Sequence, residues 1–354
     1  MTSELPAMQG AVCPVPLPHN DQIVMGHGSG GRMTQELIRK VFHPHFANVA
    51  LDANNDFAAF SNTNGKRIAL STDAHIVSPL FFPGGDIGRL AVCGTVNDVA
   101  MSGAIPVALT ASFIIEEGFR IADLDRIAAS MAAAAKEAGV IIAAGDTKVV
   151  EKGKADGLFI STSGFGFIPE GIDISGNRAR PGDAVIISGT LGDHGMAVLA
   201  ARGDLGLESQ ILSDVAPLNK LIEEILRAGI EVHVLRDPTR GGLATTLNEI
   251  AGQSSVNITL EEMQIPIRPT VASICELLGF DPLYVANEGK MIIITPETNV
   301  AKVLAILHNH PYGKDAVMVG KVNDKPKATV LLKTRIGSTR ILDVMAGEML
   351  PRIC

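Results

Sequence analysis

Two hydrophobic rhythms alternate along the chain. Segments 67–72, 107–113, 140–144, 158–168, 183–188, 232–235 and 291–294 are apolar nearly throughout or at every second position, the pattern of buried or half-buried strands. Between them, apolar residues fall three and four apart. Met33, Leu37, Ile38 and Val41 do so, as do Leu90, Cys93 and Val96 within 88–101, the alanine-rich segment 123–138 and the stretch 218–226. Each predicts a helix with a buried stripe, and Gly139 supplies a stop for the third. Strands and helices interleaved in this way predict an α/β chain whose sheets are covered by helices. Segment 172–182, with its Gly, Pro and Arg, breaks both rhythms and reads as a connector, giving domains at 19–175 and 176–335 between a leader (1–18) and a C-terminal tail (336–354).

Composition agrees with two domains: 354 residues, 46% hydrophobic and 19% charged, bury a large core. A net charge of −8 with no clustered basic surface excludes a nucleic-acid binder. An anionic substrate therefore requires local help from a metal ion, a lysine or backbone amides. Cysteines at 13, 93, 275 and 354 show neither zinc-ligand spacing nor a disulfide framework. With no signal-peptide pattern and no window of about 20 apolar residues, the expectation is a cytoplasmic protein without a membrane partner.

The chemistry sits where the rhythms break. Gly26-His27-Gly28-Ser29-Gly30-Gly31 precedes a predicted helix, where free amides favour an anion, although a ligand-free loop fits equally well. Asp56 stands before a short strand, Asp73 ends another, and Asn97-Asp98 interrupts an apolar helix; such carboxylates suit magnesium or simple capping. Gly145-Asp146-Thr147-Lys148 closes a buried-looking strand, the edge at which α/β folds bind ligands. Gly192-Asp193-His194-Gly195 follows a strand without the spacing of a dinucleotide fingerprint, and Arg240 beside two glycines opens another helix. Glu288, between apolar segments, is either a general base or a turn residue in a salt bridge. The sequence ends in Pro351-Arg352-Ile353-Cys354, a terminal thiol with no downstream backbone to exclude from a narrow pocket.

In this order, His27-Gly28-Ser29-Gly30-Gly31, Ser71-Thr72-Asp73, Asn97-Asp98-Val99-Ala100, Gly145-Asp146-Thr147-Lys148, Gly192-Asp193-His194-Gly195, Asp237-Pro238-Thr239-Arg240-Gly241-Gly242 and Asn287-Glu288-Gly289-Lys290 resemble the PurM-like ATP-binding superfamily. That superfamily holds aminoimidazole ribonucleotide synthetase, selenophosphate synthetase and thiamine-monophosphate kinase. With Pro351-Arg352-Ile353-Cys354 added, the series is similar to the HypE family of hydrogenase maturation factors, over about 24–354. Selenophosphate synthetases carry a reactive cysteine followed shortly by lysine near the N-terminus; here Cys13 is followed by Pro14-Val15-Pro16.

The resemblance implies two α/β domains, the first forming a homodimer through its sheet, with ATP and Mg2+ in a cleft. It implies a carbamoyl dehydratase: HypF places a carbamoyl group on the terminal thiol, ATP-dependent dehydration yields a thiocyanate, and the cyano group passes to HypC–HypD for the [NiFe]-hydrogenase centre. Cys354 is then the acceptor, Glu288 the base, and Lys148 the group that orients the carboxamide. Asp56, Asp73, Asp98 and Asp146 form the expected magnesium set. His27, Gly28, Ser29, Gly30, Asn97, Thr147, Gly192, His194 and Arg240 are the expected nucleotide contacts.

Overall fold

The computed structural model describes residues 22–46, 48–61, 65–203, 211–345, 350 and 352–354. The leader with Cys13, and Pro351 of the tail, lie outside the described residues. The first sheet contains β1 (Ala58–Ser61), β2 (Arg67–His75), β3 (Ile105–Glu116), β4 (Ile141–Val150) and β5 (Leu158–Ile168), in spatial order β1-β2-β5-β3-β4. Only the β3/β4 pair is parallel. In β5 every second residue, from Leu158 to Ile168, is buried, as the period-two rhythm requires.

Helices α1 (Ile87–Met101) and α2 (Ile121–Ala138) pack on one face of this sheet, and α2 ends at Gly139 with φ +79°. The opposite face leaves apolar side chains in solvent. Ile141 is 64% exposed on β4, and Phe60, Ile105, Phe165 and Phe167 are exposed as well. The buried strand expected at 140–144 is thus an exposed edge strand: Val140 is buried, but the residues that follow are exposed on both faces.

The second sheet contains β6 (Asp183–Ile187), β7 (Val234–Arg236), β8 (Asn257–Glu261), β9 (Ile292–Pro296), β10 (Val317–Asn323), β11 (Thr329–Lys333) and β12 (Thr339–Leu342), ordered β12-β11-β8-β10-β6-β9-β7. Only β8 and β11 run parallel. Helix α3 (Asp193–Ala201) follows β6. Helix α5 (Gly242–Ser254) covers one face, packing Leu243 and Leu247 with Val185 and Ile187. Helices α4 (Asn219–Arg227) and α6 (Val300–Asn309) cover the other. The sheet continues past residue 335, because β12 pairs with β11 and buries Leu342.

Helix α1 joins the two halves. Thirteen of its fifteen residues are buried, since one side meets the first sheet and its C-terminal Val99 and Met101 enter the core beneath the second. Each aliphatic side chain so buried contributes about 1.5–3 kcal/mol. The two that are only partly buried, Arg89 and Asp98, are its charged residues.

Candidate functional site

A cavity of about 260 Å³ opens between the domains, lined by Asp56, Asp73 and Asp98 from the first and Asp237, Glu249 and Glu288 from the second, with Arg236, Arg240 and the terminal Cys354. Six carboxylates against two guanidiniums cannot all remain ionised. Burial and the facing Asp237 push Asp98 well above the usual carboxylate range. Burial and Asp56 raise Asp237 to about 8. Burial raises Asp56 to about 6 against the pull of Arg236, which ion-pairs with both Asp56 and Glu249. Glu288 is 5% exposed, and burial with Asp73 and Asp237 nearby lifts it well above its ordinary value.

Hard oxygen donors short of positive charge fit Mg2+. Among the described residues no three His, Cys, Asp or Glu converge on one point. A cation here would be held by one or two carboxylates, with phosphates and water completing its shell.

The tail occupies this cleft. Its backbone runs beside residues 76–78: Ile76 N donates to Cys354 O at 3.0 Å and Ser78 N to Arg352 O at 3.1 Å, the spacing of an added strand. Arg202 bridges Ser78 O and Arg352 O, each at 3.0 Å, and Arg352 ion-pairs with Asp156. Ile353 is 4% exposed in the first domain's core. His194 donates from Nε2 to Ile353 O at 2.7 Å and accepts at Nδ1 from Ser213 at 2.8 Å; burial lowers its pKa, so the ring is neutral with its proton on Nε2. Arg240 donates from Nε to Cys354 Sγ at 2.9 Å and from a terminal nitrogen to Gly28 O at 2.9 Å, tying the glycine-rich turn to the thiol. Burial nevertheless pushes the Cys354 thiol up to about 12, with Arg240 opposing, so the docked group is protonated.

The fold brings together Asp56, Asp73, Asp98, Glu288, Arg240, Gly30 and Cys354. Ser29 is buried beside them and donates to Gly26 O at 2.8 Å. His27 accepts from Val24 N at 3.0 Å inside its own turn.

Other expected site residues lie elsewhere. Asp146 and Lys148 pair with each other at 2.6 Å on the exposed β4 edge, next to exposed Thr147, and do not line the cavity of their own chain. Asn97 has both ends of its amide committed to the backbone at Ala216 and Leu218, which ties the domains together. Gly192 donates to Asn287 Oδ1 at 2.7 Å, and the neighbouring Gly189 and Asp193 line a separate cavity of about 530 Å³.

Sequence reasoning missed Arg236 and Glu249 in the cavity, and Arg202 and Asp156 on the tail. Asp237 lies in a segment whose sequence signal is Arg240 beside two glycines. The others carry no local signal, being single charged residues made functional by distant partners.

Comparison with known proteins matches residues 54–168 to the AIR synthase related protein N-terminal domain and 180–333 to its C-terminal domain. A carbamoyl dehydratase HypE of Cupriavidus necator is 54% identical over 333 residues, spanning 94% of this chain and 95% of its own. Two crystal structures superpose closely. A HypE–HypF complex gives TM-score 0.83 at 52% identity, covering 87% of this chain and 99% of that one. A HypE in complex with ATP gives 0.79 at 48%, covering 94% and 100%.

Proposed function

From the premise that the chain belongs to the AIR synthase related family, and within it to the HypE proteins, we propose that it is a carbamoyl dehydratase of hydrogenase maturation acting on its own terminal thiol. The observation that carries this reading is the Cys354 thiol, seated in the carboxylate-lined cavity with Arg240 hydrogen-bonded to its sulfur.

The substrate is an S-carbamoyl group on Cys354. Its oxygen leaves poorly as hydroxide, whereas transfer of the ATP terminal phosphoryl group to that oxygen makes it depart as phosphate. The bonds balance: C–O breaks, the nitrogen gives up two protons, and an S-bound C≡N remains with ADP and inorganic phosphate. Glu288, raised in pKa by burial, receives a nitrogen proton, and Arg240 orients the sulfur end. Mg2+ held by Asp73 and Asp98 would offset phosphate charge, with Asp56 further engaged by Arg236. The turn at Gly28–Gly30, fastened by Arg240, would cover the phosphates.

HypF is the carbamoyl donor in this reading and the HypC–HypD pair the cyanide acceptor. A homodimer formed through the exposed apolar face of the first sheet would place Asp146, Thr147 and Lys148 at the boundary between copies, where Lys148 can serve a neighbouring cleft. The test is intact mass spectrometry after incubation with HypF, carbamoyl phosphate and ATP. The wild type should gain a carbamoyl adduct that then loses one water. Equal adducts on wild type and Cys354→Ala would remove the terminal thiol from the reaction.

A further inference from the structure

A loop between the domains, residues 213–218, holds Glu288 in place. From the first domain, Pro83 O accepts from Ser213 N at 2.8 Å and Arg89 Nε donates to Val215 O at 3.0 Å. Asn97 donates to Ala216 O at 3.0 Å and accepts from Leu218 N at 2.8 Å. On its other side the loop takes both backbone polar groups of Glu288. Asp214 Oδ1 accepts from Glu288 N at 3.0 Å, and Ala216 N donates to Glu288 O at 3.4 Å. The approach is so close that a Cβ on Gly289 would stand 1.8 Å from Asp214 O.

We infer that Asp214 is a positioning residue that aims the Glu288 carboxylate, an inference that rests on Glu288 acting as the base. The Asp214 side chain is 2% exposed, and its second oxygen faces the Lys290 ammonium at 3.5 Å. The buried Oε1 of Glu288 makes no hydrogen bond, so the direction of that carboxylate is set by its backbone. Helix α1 carries Asp98, and the residue before it, Asn97, grips the loop that grips Glu288. The cation side and the base side of the cleft are therefore registered through one helix, one loop and one buried carboxylate. Removing the acceptor frees the Glu288 N–H and lets the side chain drift; a misplacement near 1 Å costs about 10²-fold in a positioned reaction.

The experiment measures ATP-dependent loss of water from the HypF-carbamoylated chain. Asp214→Ala should leave carbamoylation and KM for ATP unchanged and lower kcat for dehydration about 10- to 100-fold. Asp214→Asn, which keeps an oxygen acceptor, should recover most of the rate. In a Glu288→Gln background, reduced to its residual rate, adding Asp214→Ala should cost nothing more, because its effect runs through Glu288. An additive loss in the double variant, or a KM rise with kcat intact, overturns the inference. Full dehydration by Glu288→Gln overturns the assignment of Glu288 itself, whatever Asp214→Ala does. If Asp214→Ala does not fold, Asp214→Glu, which displaces the acceptor by one methylene, reads the same split.

Discussion

Alkylation of the terminal thiol tests the docked tail most directly. Cys354 is 9% exposed, and burial moves its pKa from 9.0 to about 12. At neutral pH this lowers the reactive thiolate roughly 1000-fold relative to an ordinary cysteine, so modification must pass through the undocked tail. Arg202 donates a charge-assisted hydrogen bond to Arg352 O at 3.0 Å, a contact worth about 1.5–3 kcal/mol. Arg202→Ala should therefore raise the undocked population, and the alkylation rate with it, roughly 10- to 100-fold. The assay follows N-ethylmaleimide addition by intact mass at about pH 7.5, in a Cys13→Ser background so that the leader thiol does not score. Cys93 and Cys275, buried with pKa values raised to about 12 and about 11, serve as slow internal controls. A wild-type Cys354 that reacts as fast as a free thiol, with no change in Arg202→Ala, would refute the docked geometry.

Two further outcomes follow from the same electrostatics and surfaces. Asp56, Asp98 and Asp237 have folded-state pKa values above their ordinary 3.8, so the metal-free protein binds more protons folded than unfolded. Its stability from these groups is full below about pH 4 and falls as pH rises through about 6 and about 8. Melting curves without magnesium should fall across that window, and magnesium should raise Tm more at its upper end; a magnesium shift independent of pH would contradict the site. On the outer face of the first sheet, a charge at Phe167, which is 43% exposed beside Ile105, should convert a dimer to monomers in light scattering while far-UV circular dichroism stays unchanged. A wild type that is already monomeric would remove the dimer from the reading.

Much of the chain could be read without coordinates. The periodicities located strand β5 and the glycine stop of α2, because burial of one face or one stripe imposes a fixed repeat on the sequence, whereas α1, expected to bury a single stripe, is enclosed nearly all round by the two domains. The ordered motifs pointed to Asp73, Asp98, Arg240, Glu288 and Cys354, all of which line one cavity. Other features depended on partners far away in sequence. Apolar run 140–144 has the composition of a buried strand, yet β4 lies at a sheet edge with its residues exposed, and neighbour order decides that. Asn97 reads as a polar intruder on an apolar helix; only the packed domains show its amide spent on Ala216 and Leu218. Sequence thus determined which residue types were available and which elements carried them, since local repeats record burial. Tertiary structure alone decided which charges share a cavity, what holds Glu288 and where the terminal thiol rests, since Coulomb and hydrogen-bond energies depend on separation in space.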